Sequence, residues 1–206
     1  MRRLILFGGS FDPIHKGHTH VAVSALQQLN ADKLIFIPAK QSPLKQNSPL
    51  ASNEHRLNMI KHAIADANNI TVDACEFKRP APSYTLDTIQ EFRQSLGNDI
   101  ELFWLVGADT LPELPHWYRI DELMQLCHLA IMTRGGYEIP NFSQFKTLWG
   151  EKRVQELEKH RIRTPMIEMS SSEIRTKLQH QDDVSDYLHP KVIDYIQQHH
   201  LYNNVS

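Results

Sequence analysis

Apolar positions along the chain fall into two alternating patterns. Leu4-Ile5-Leu6-Phe7 and Leu34-Ile35-Phe36-Ile37 are short continuous apolar runs, while His18, Ala22, Ala25, Leu26 and Leu29 recur between them at helical spacing. Together they predict a β-α-β unit, and strands that are apolar on every residue belong in a parallel sheet covered on both faces. The theme continues. Ser52 or Asn53 is placed to cap a helix carrying Leu57, Ile60, Ile64 and Ala67, ahead of a strand Ile70-Thr71-Val72. Ser83 or Thr85 is placed to cap another with Leu86, Ile89 and Leu96, closed by Gly97 and followed by Leu102-Phe103-Trp104-Leu105-Val106. Leu129-Ala130-Ile131-Met132 and Met166-Ile167-Glu168-Met169 are the remaining strand candidates, with helical patterns at 121–127 and 151–160 between them. Two last helical patterns follow, one with Ile174 and Leu178 and one with Val192, Ile193 and Ile196. The order predicts an α/β fold: a doubly wound parallel sheet with a small C-terminal helical extension at 170–206, in one domain spanning 1–206. Residues 134–145, rich in Gly, Pro and polar side chains, read as a long loop.

Composition narrows the partners. A chain of 206 residues that is 41% hydrophobic is large enough to bury a real core. Its formal charge of -2 supplies no basic field, so neither nucleic acid nor a membrane surface is an expected partner. Cys75 and Cys127 are too few for a disulfide framework and point to a reducing compartment. Arg2 and Arg3 precede an apolar run as in a signal peptide, but Gly8 and Asp12 end that run too early. No stretch approaches the length of a membrane span, and a cytoplasmic protein is expected. The oligomeric state stays open, a homodimer being one arrangement consistent with the sequence.

Ligands of doubly wound sheets bind beyond the carboxyl ends of the strands, so the residues after the first run come first for chemistry. They are Gly8-Gly9-Ser10-Phe11-Asp12-Pro13-Ile14-His15-Lys16-Gly17-His18. Glycines admit backbone conformations closed to other residues and bring N–H groups close to an anion, and Ser10 adds a hydroxyl. A helix starting near Gly17 presents orphan N–H groups and the positive end of its dipole. His15 and His18, three apart, then project to one side. On residues alone, three readings stand: a phosphate site, a turn with solvated histidines, and a transition-metal site of His15, His18 and His20. A second helix start, Ser170-Ser171-Ser172 with Ile174 and Arg175, reads either as another anion site or as a serine cap beside a surface Arg. Gly107-Ala108-Asp109 ends a strand, where Asp109 either caps a helix or accepts hydrogen bonds from a ribose. Trp117 is either a core residue or a stacking face.

These segments together carry a resemblance over nearly the whole chain. Gly8-Gly9-Ser10-Phe11-Asp12-Pro13 with His15-Lys16-Gly17-His18 resembles the signature of nicotinate-nucleotide adenylyltransferases, in the H-x-G-H nucleotidyltransferase superfamily. Ser83-Tyr84-Thr85-Leu86-Asp87-Thr88 is similar to that family's S-Y-T-x-x-T element, Gly107-Ala108-Asp109 to its strand end, and Trp117 follows at the usual interval. Ser170-Ser171-Ser172-Glu173-Ile174-Arg175 resembles its S-S-T-x-I-R element, and His189-Pro190 to Leu201-Tyr202 its last helix.

The resemblance implies a Rossmann-like fold and adenylyl transfer from ATP to nicotinate mononucleotide, giving deamido-NAD and pyrophosphate in NAD biosynthesis. It implies catalytic roles for His15, His18 and Arg175. ATP is expected at Gly8, Gly9, Ser10, Phe11, His15, Gly17, His18, Gly107, Asp109, Ser170, Ser171, Ser172, Ile174 and Arg175. The mononucleotide is expected at Ser10, Lys45, Tyr84, Thr85 and Trp117. Mg2+ is expected to bridge ATP oxygens with no metal ligands from the protein. One segment departs from the family: Ser42-Pro43-Leu44-Lys45 stands where the family reads P-P-H-K or P-P-H-R, so Lys45 keeps the cation while Leu44 replaces the histidine. Arg56, in the next helix, reads as a further phosphate contact or a solvated surface charge.

Overall fold

The structure, a computed structural model, describes residues 2–44, 47–134, 141–164 and 170–203. The apolar runs become strands and the spaced stripes become helices in strict alternation. β1 (Arg2–Gly9), α1 (Lys16–Gln28), β2 (Lys33–Pro38), α2 (Asn53–Ala63) and β3 (Ile70–Val72) form the first half. α3 (Thr85–Leu96), β4 (Ile100–Gly107), α4 (Ile120–Leu126), β5 (His128–Arg134), α5 (Lys146–Lys159) and β6 (Arg161–Thr164) form the second. α6 (Ser171–Gln179) and α7 (Pro190–Gln198) complete the described chain.

The six strands are all parallel, in the order β3-β2-β1-β4-β5-β6. This is the Rossmann-like doubly wound arrangement, and its order reverses between β1 and β4. β1 shows why its run is continuously apolar. Ile5 and Phe7 enter one core with α1, α2, α6 and α7, while Leu4 and Leu6 enter the other with α3, α4 and α5. Each fully buried side chain of this size contributes about 1.5–3 kcal/mol relative to exposure, so both faces of the sheet hold the fold together. Cys75 and Cys127 are free and buried, and burial pushes both thiols up to about 12.

Several details differ from the expectations. Ser52 caps α2 as one of the two candidates, through a bond to the His55 N–H, but α2 stops at Ala63 and does not reach Ala67. α3 starts at Thr85 with Tyr84 at its cap position and no side-chain cap bond. Ser83 is diverted to the β2 side, where its Oγ accepts from the Lys40 N–H at 3.1 Å. The helical pattern at 151–160 is the part of α5 after Gly150, whose φ of 78 breaks the run. The edge strand β6 uses Arg161-Ile162-Arg163-Thr164, with Ile162 and Thr164 buried on its covered face and the two arginines on the other. The strand expected at 166–169 lies outside the described residues. The C-terminal helices, expected as an extension, are stitched onto the start of the chain: the Lys16 N–H donates to the Tyr187 carbonyl at 2.7 Å.

Candidate active site

The reversal of strand order opens a crevice beyond the carboxyl ends of β1 and β4, where Gly8-Gly9 and Gly107 sit. Glycine is needed here for space rather than for unusual dihedrals. The positive-φ glycines among the described residues are Gly97 and Gly150, so the expected conformational role of Gly8 and Gly9 is corrected. A Cβ on Gly8 would lie 2.2 Å from the Trp104 ring and one on Gly9 2.8 Å from the Phe11 ring, whereas at Gly107 the near atom, 2.2 Å away, belongs to the exposed Asp109 carboxylate, which can turn aside. The left-handed residue of this turn is Phe11 itself, at φ 47. Its ring is buried edge-on against Phe7 and Phe36 and meets the His18 ring at a 5.0 Å centroid distance.

His15 is the N-cap of α1, and His18 lies in the first turn. The Nδ1 of His18 accepts the His15 N–H at 3.2 Å, and the two rings face each other 3.8 Å apart at 33°. Gly17 is buried between them, whereas His20 is exposed. Among the described residues, the trio His15, His18 and His20 is not brought together as metal ligands.

The second helix start closes on this loop. Ser170 caps α6 in a capping box with Glu173, accepting from the Glu173 N–H while the Glu173 carboxylate accepts from the Ser170 N–H at 2.7 Å. Ser171 Oγ donates to the Pro13 carbonyl at 2.9 Å, and Arg175 Nη1 donates to the Asp12 carbonyl at 2.6 Å. Arg175 Nη2 donates to Ser172 Oγ at 3.0 Å. The serine hydroxyls thus build the site as much as they line it. Ile174 is 0% exposed, its side chain in the core with Phe11 and Ile14, which leaves only its backbone toward a ligand.

Beneath the loop lies a network that sequence reading largely missed. The buried Asp12 carboxylate accepts from the Leu50 N–H (2.7 Å), the Ala51 N–H (3.1 Å) and the Tyr202 hydroxyl (2.7 Å). Burial beside that carboxylate pushes the Tyr202 hydroxyl far up, keeping it a donor. Arg56 is neither a surface charge nor an exposed phosphate contact: it is 0% exposed, donates to the Ser10 carbonyl and to Asn53 Oδ1 at 2.7 Å each, and lies over Phe77. Burial lowers its pKa, which Asp12 opposes. A cation and a carboxylate are thereby fixed under the turn from α2 and the C-terminus. The aspartate in the signature was the available signal; Tyr202 stood in the sequence only as the end of the last family-like helix, with no role assigned to its hydroxyl.

A cluster of aromatic side chains lies at the start of α3 and in the segment after β4. Tyr84, half-buried at the start of α3, stacks on Tyr118 at 4.6 Å, and Tyr118 adjoins the half-buried Trp117. Trp117 packs along the second core, and its Nε1 has no hydrogen-bond partner among the described residues. Thr85 is half-buried in the first turn, and Asp109 is exposed past the end of β4. Sequence reading did not single out Tyr118. Lys45 lies outside the described residues. Glu76, buried below α3, accepts from Thr88 Oγ1 at 2.6 Å, and burial raises its carboxyl above the usual range.

Two helix starts and a cluster of aromatic side chains thus gather at the carboxyl ends of the central strands, and known proteins match the chain and its fold. A family model described as Cytidylyltransferase-like matches residues 6–177. A probable nicotinate-nucleotide adenylyltransferase of Rhodopirellula baltica is 39% identical over 173 residues, covering 84% of this chain and 80% of that one. Another from Clostridium tetani is 36% identical, covering 98% of this chain and all of the relative. Among solved structures, the Plasmodium falciparum nicotinic acid mononucleotide adenylyltransferase complexed with NaAD superposes with a TM-score of 0.71 at 21% identity, over 98% of both chains. The same enzyme complexed with APC superposes at 0.69. With the fold, the switch-point crevice and these relatives in agreement, the chain belongs to the nicotinate-nucleotide adenylyltransferase family.

Proposed function

We infer that the chain transfers the adenylyl group of ATP to nicotinate mononucleotide, giving deamido-NAD and pyrophosphate in NAD biosynthesis. The observation that carries the site assignment is the meeting of two helix starts, α1 with His15 and His18 and α6 with Arg175, over one glycine turn at the switch point. The mononucleotide's phosphate oxygen bonds to the α-phosphorus of ATP as the bond to the β-phosphate bridge breaks, and pyrophosphate leaves. Both phosphates are already ionised, so no protein base is required; catalysis is positioning and charge stabilisation.

In this reading Gly8, Gly9 and Ser10 admit the triphosphate to the turn, His15 and His18 donate to it, and Arg175 supplies a planar charge from the other side. Gly107 gives the nucleotide close approach, and Asp109 takes the ribose. The donor set of imidazoles, hydroxyls and guanidinium suits phosphate, and the Asp12 carboxylate is committed to Leu50, Ala51 and Tyr202. Mg2+ would therefore arrive with ATP rather than on protein ligands, and would supply charge neutralisation for the leaving pyrophosphate. Trp117 stacks on the pyridine ring, gaining an electrostatic term because the ring is cationic. The N–H groups at the uncapped start of α3, at Tyr84 and Thr85, favour the nicotinate carboxylate over the amide. Lys45 pairs with the mononucleotide phosphate. Residues 1–206 act as one nucleotidyltransferase domain, and the two free buried thiols support a cytoplasmic setting.

The test is pyrophosphate release with ATP, Mg2+ and, in parallel, nicotinate mononucleotide, nicotinamide mononucleotide and phosphopantetheine. Nicotinate mononucleotide is expected to react fastest by kcat/KM. Equal or faster reaction of another acceptor overturns the substrate assignment, and ATP binding without release for any acceptor identifies a nucleotide-binding sensor instead.

A further inference from the structure

Opposite the crevice, at the amino ends of the strands, lies a second concentration of chemistry that the family reading does not use. His128 opens β5, while Glu156 in the last turn of α5 and His160 just after it stand four apart, on one helical face. Glu156 Oε2 lies 3.7 Å from His128 Nδ1 and 3.8 Å from His160 Nδ1, too far for hydrogen bonds. One ligand atom from each of the three lies within 4.8 Å of the others, the convergent trio among the described residues. His160 is 8% exposed, and its buried Nδ1, turned toward that carboxylate, has no hydrogen-bond partner among the described residues.

We propose that His128, Glu156 and His160 bind a borderline divalent transition metal such as Zn2+, with water completing the shell. Two imidazoles and a carboxylate suit this class of ion better than Mg2+ or Ca2+, which take oxygen ligands. With Zn–N and Zn–O bonds of about 2.0–2.2 Å, ligand atoms on a tetrahedral ion stand about 3.3–3.6 Å apart. The two observed separations to Glu156 exceed that by a few tenths of an ångström, within reach of small side-chain rotations. The negative end of the α5 dipole faces the trio and favours a cation. The Phe103 ring lies 5.2 Å from each imidazole and walls one side. Burial lowers both histidines, His160 to about 4, which favours the neutral imidazole, a ring that binds a metal through its one bare nitrogen. Lys159, 3.9 Å from the other Glu156 oxygen, competes for the carboxylate but leaves Oε2 to the histidines. The ion would brace the start of β5 against the end of α5, where the Ile131 N–H already donates to the His160 carbonyl. β5 has seven residues, about 23 Å at ~3.3 Å each, so the ion is remote from the crevice. The sequence reading expected no protein metal ligands; the Glu-x-x-x-His spacing was the signal within it.

The test is titration of the chelator-treated full chain with ZnCl2, followed by calorimetry and by imidazole nitrogen resonances. One equivalent is expected, with the His128 and His160 resonances shifting. His128→Asn and Glu156→Gln should each weaken binding at least tenfold, and the pair His128→Asn/His160→Asn should remove this equivalent while adenylyl-transfer turnover stays unchanged. Unmoved His128 and His160 resonances, or undiminished affinity in the double variant, would overturn the site even if zinc binds at His15 and His18. The resonance readout on the unmodified chain decides if the double variant does not fold. Neither outcome depends on the adenylyl acceptor.

Discussion

The two walls of the crevice are built by opposite means. The wall proposed for phosphate is anchored from three distant parts of the chain: Asp12 is held by the 50–51 backbone and by Tyr202, and its carbonyl by Arg175, while Arg56 holds the Ser10 carbonyl. The wall proposed for the acceptor presents aromatic faces, Tyr84 on Tyr118 beside Trp117, whose Nε1 has no hydrogen-bond partner among the described residues. Charge stabilisation works only if donors are already in place when charge develops, so rigidity there contributes directly to rate. Recognition of a flat ring needs matching planes more than fixed donors. Rate is therefore expected to depend on the first wall and acceptor choice on the second.

The largest effect should come from undermining the first wall. Arg56→Met removes a fully buried cation that donates to the Ser10 carbonyl and to Asn53 Oδ1, and each such charged hydrogen bond is worth about 1.5–3 kcal/mol; chemical denaturation should show the loss. His18→Ala should lower kcat about 10²–10³-fold, the usual cost of one lost donor to developing charge, with the melting temperature nearly unchanged. Near-normal turnover would erase the distinction between the walls. Tyr202→Phe removes one bond to a buried carboxylate and should cost about 1.5–3 kcal/mol of stability. On the other wall, Trp117→Ala should raise KM for the mononucleotide about tenfold, as expected for a lost aromatic stack with a cationic ring, and leave KM for ATP alone. A matching rise for ATP would mean that the two walls are not separate.

The smallest effect concerns Glu76, under the acceptor wall. Its raised carboxyl pKa means that the folded chain holds this proton to higher pH than the unfolded chain does. Stability from this group is complete below the ordinary glutamate value of about 4.3 and is lost as pH rises through the folded-state value. Glu76→Gln, which still accepts from Thr88, should melt above the parent protein at neutral and alkaline pH. The difference should vanish near pH 4. A variant that melts lower at all pH values would show that Arg79 outweighs the burial.

What the sequence revealed follows the same division. Strands covered on both faces left continuous apolar runs, so β1, β2, β4 and β5 were legible, and helix starts announced themselves through Ser52, Ser170 and His189-Pro190. The mostly polar edge strand β6 was not legible, nor was the 3-10 segment Ala108–His116, whose Pro112 and Pro115 suppress a helical stripe. Motif residues at strand ends were visible because their glycines, serines and histidines form short local patterns. Arg56 and Tyr202 were opaque because their roles come from contacts 46 and 190 positions away, with Ser10 and Asp12. Gly8 illustrates a correct choice for the wrong cause: the Trp104 ring, not a special dihedral, excludes a side chain.

The central claim is that this crevice works by positioning two ionised substrates, with no protein group bonded to the adenylyl moiety. Exchange of labelled pyrophosphate into ATP tests it most directly. Exchange should be absent with ATP and Mg2+ alone and should appear on addition of deamido-NAD, whose cleavage by pyrophosphate re-forms ATP and nicotinate mononucleotide. Exchange at an undiminished rate without mononucleotide or dinucleotide would reveal an adenylylated protein intermediate and contradict the account.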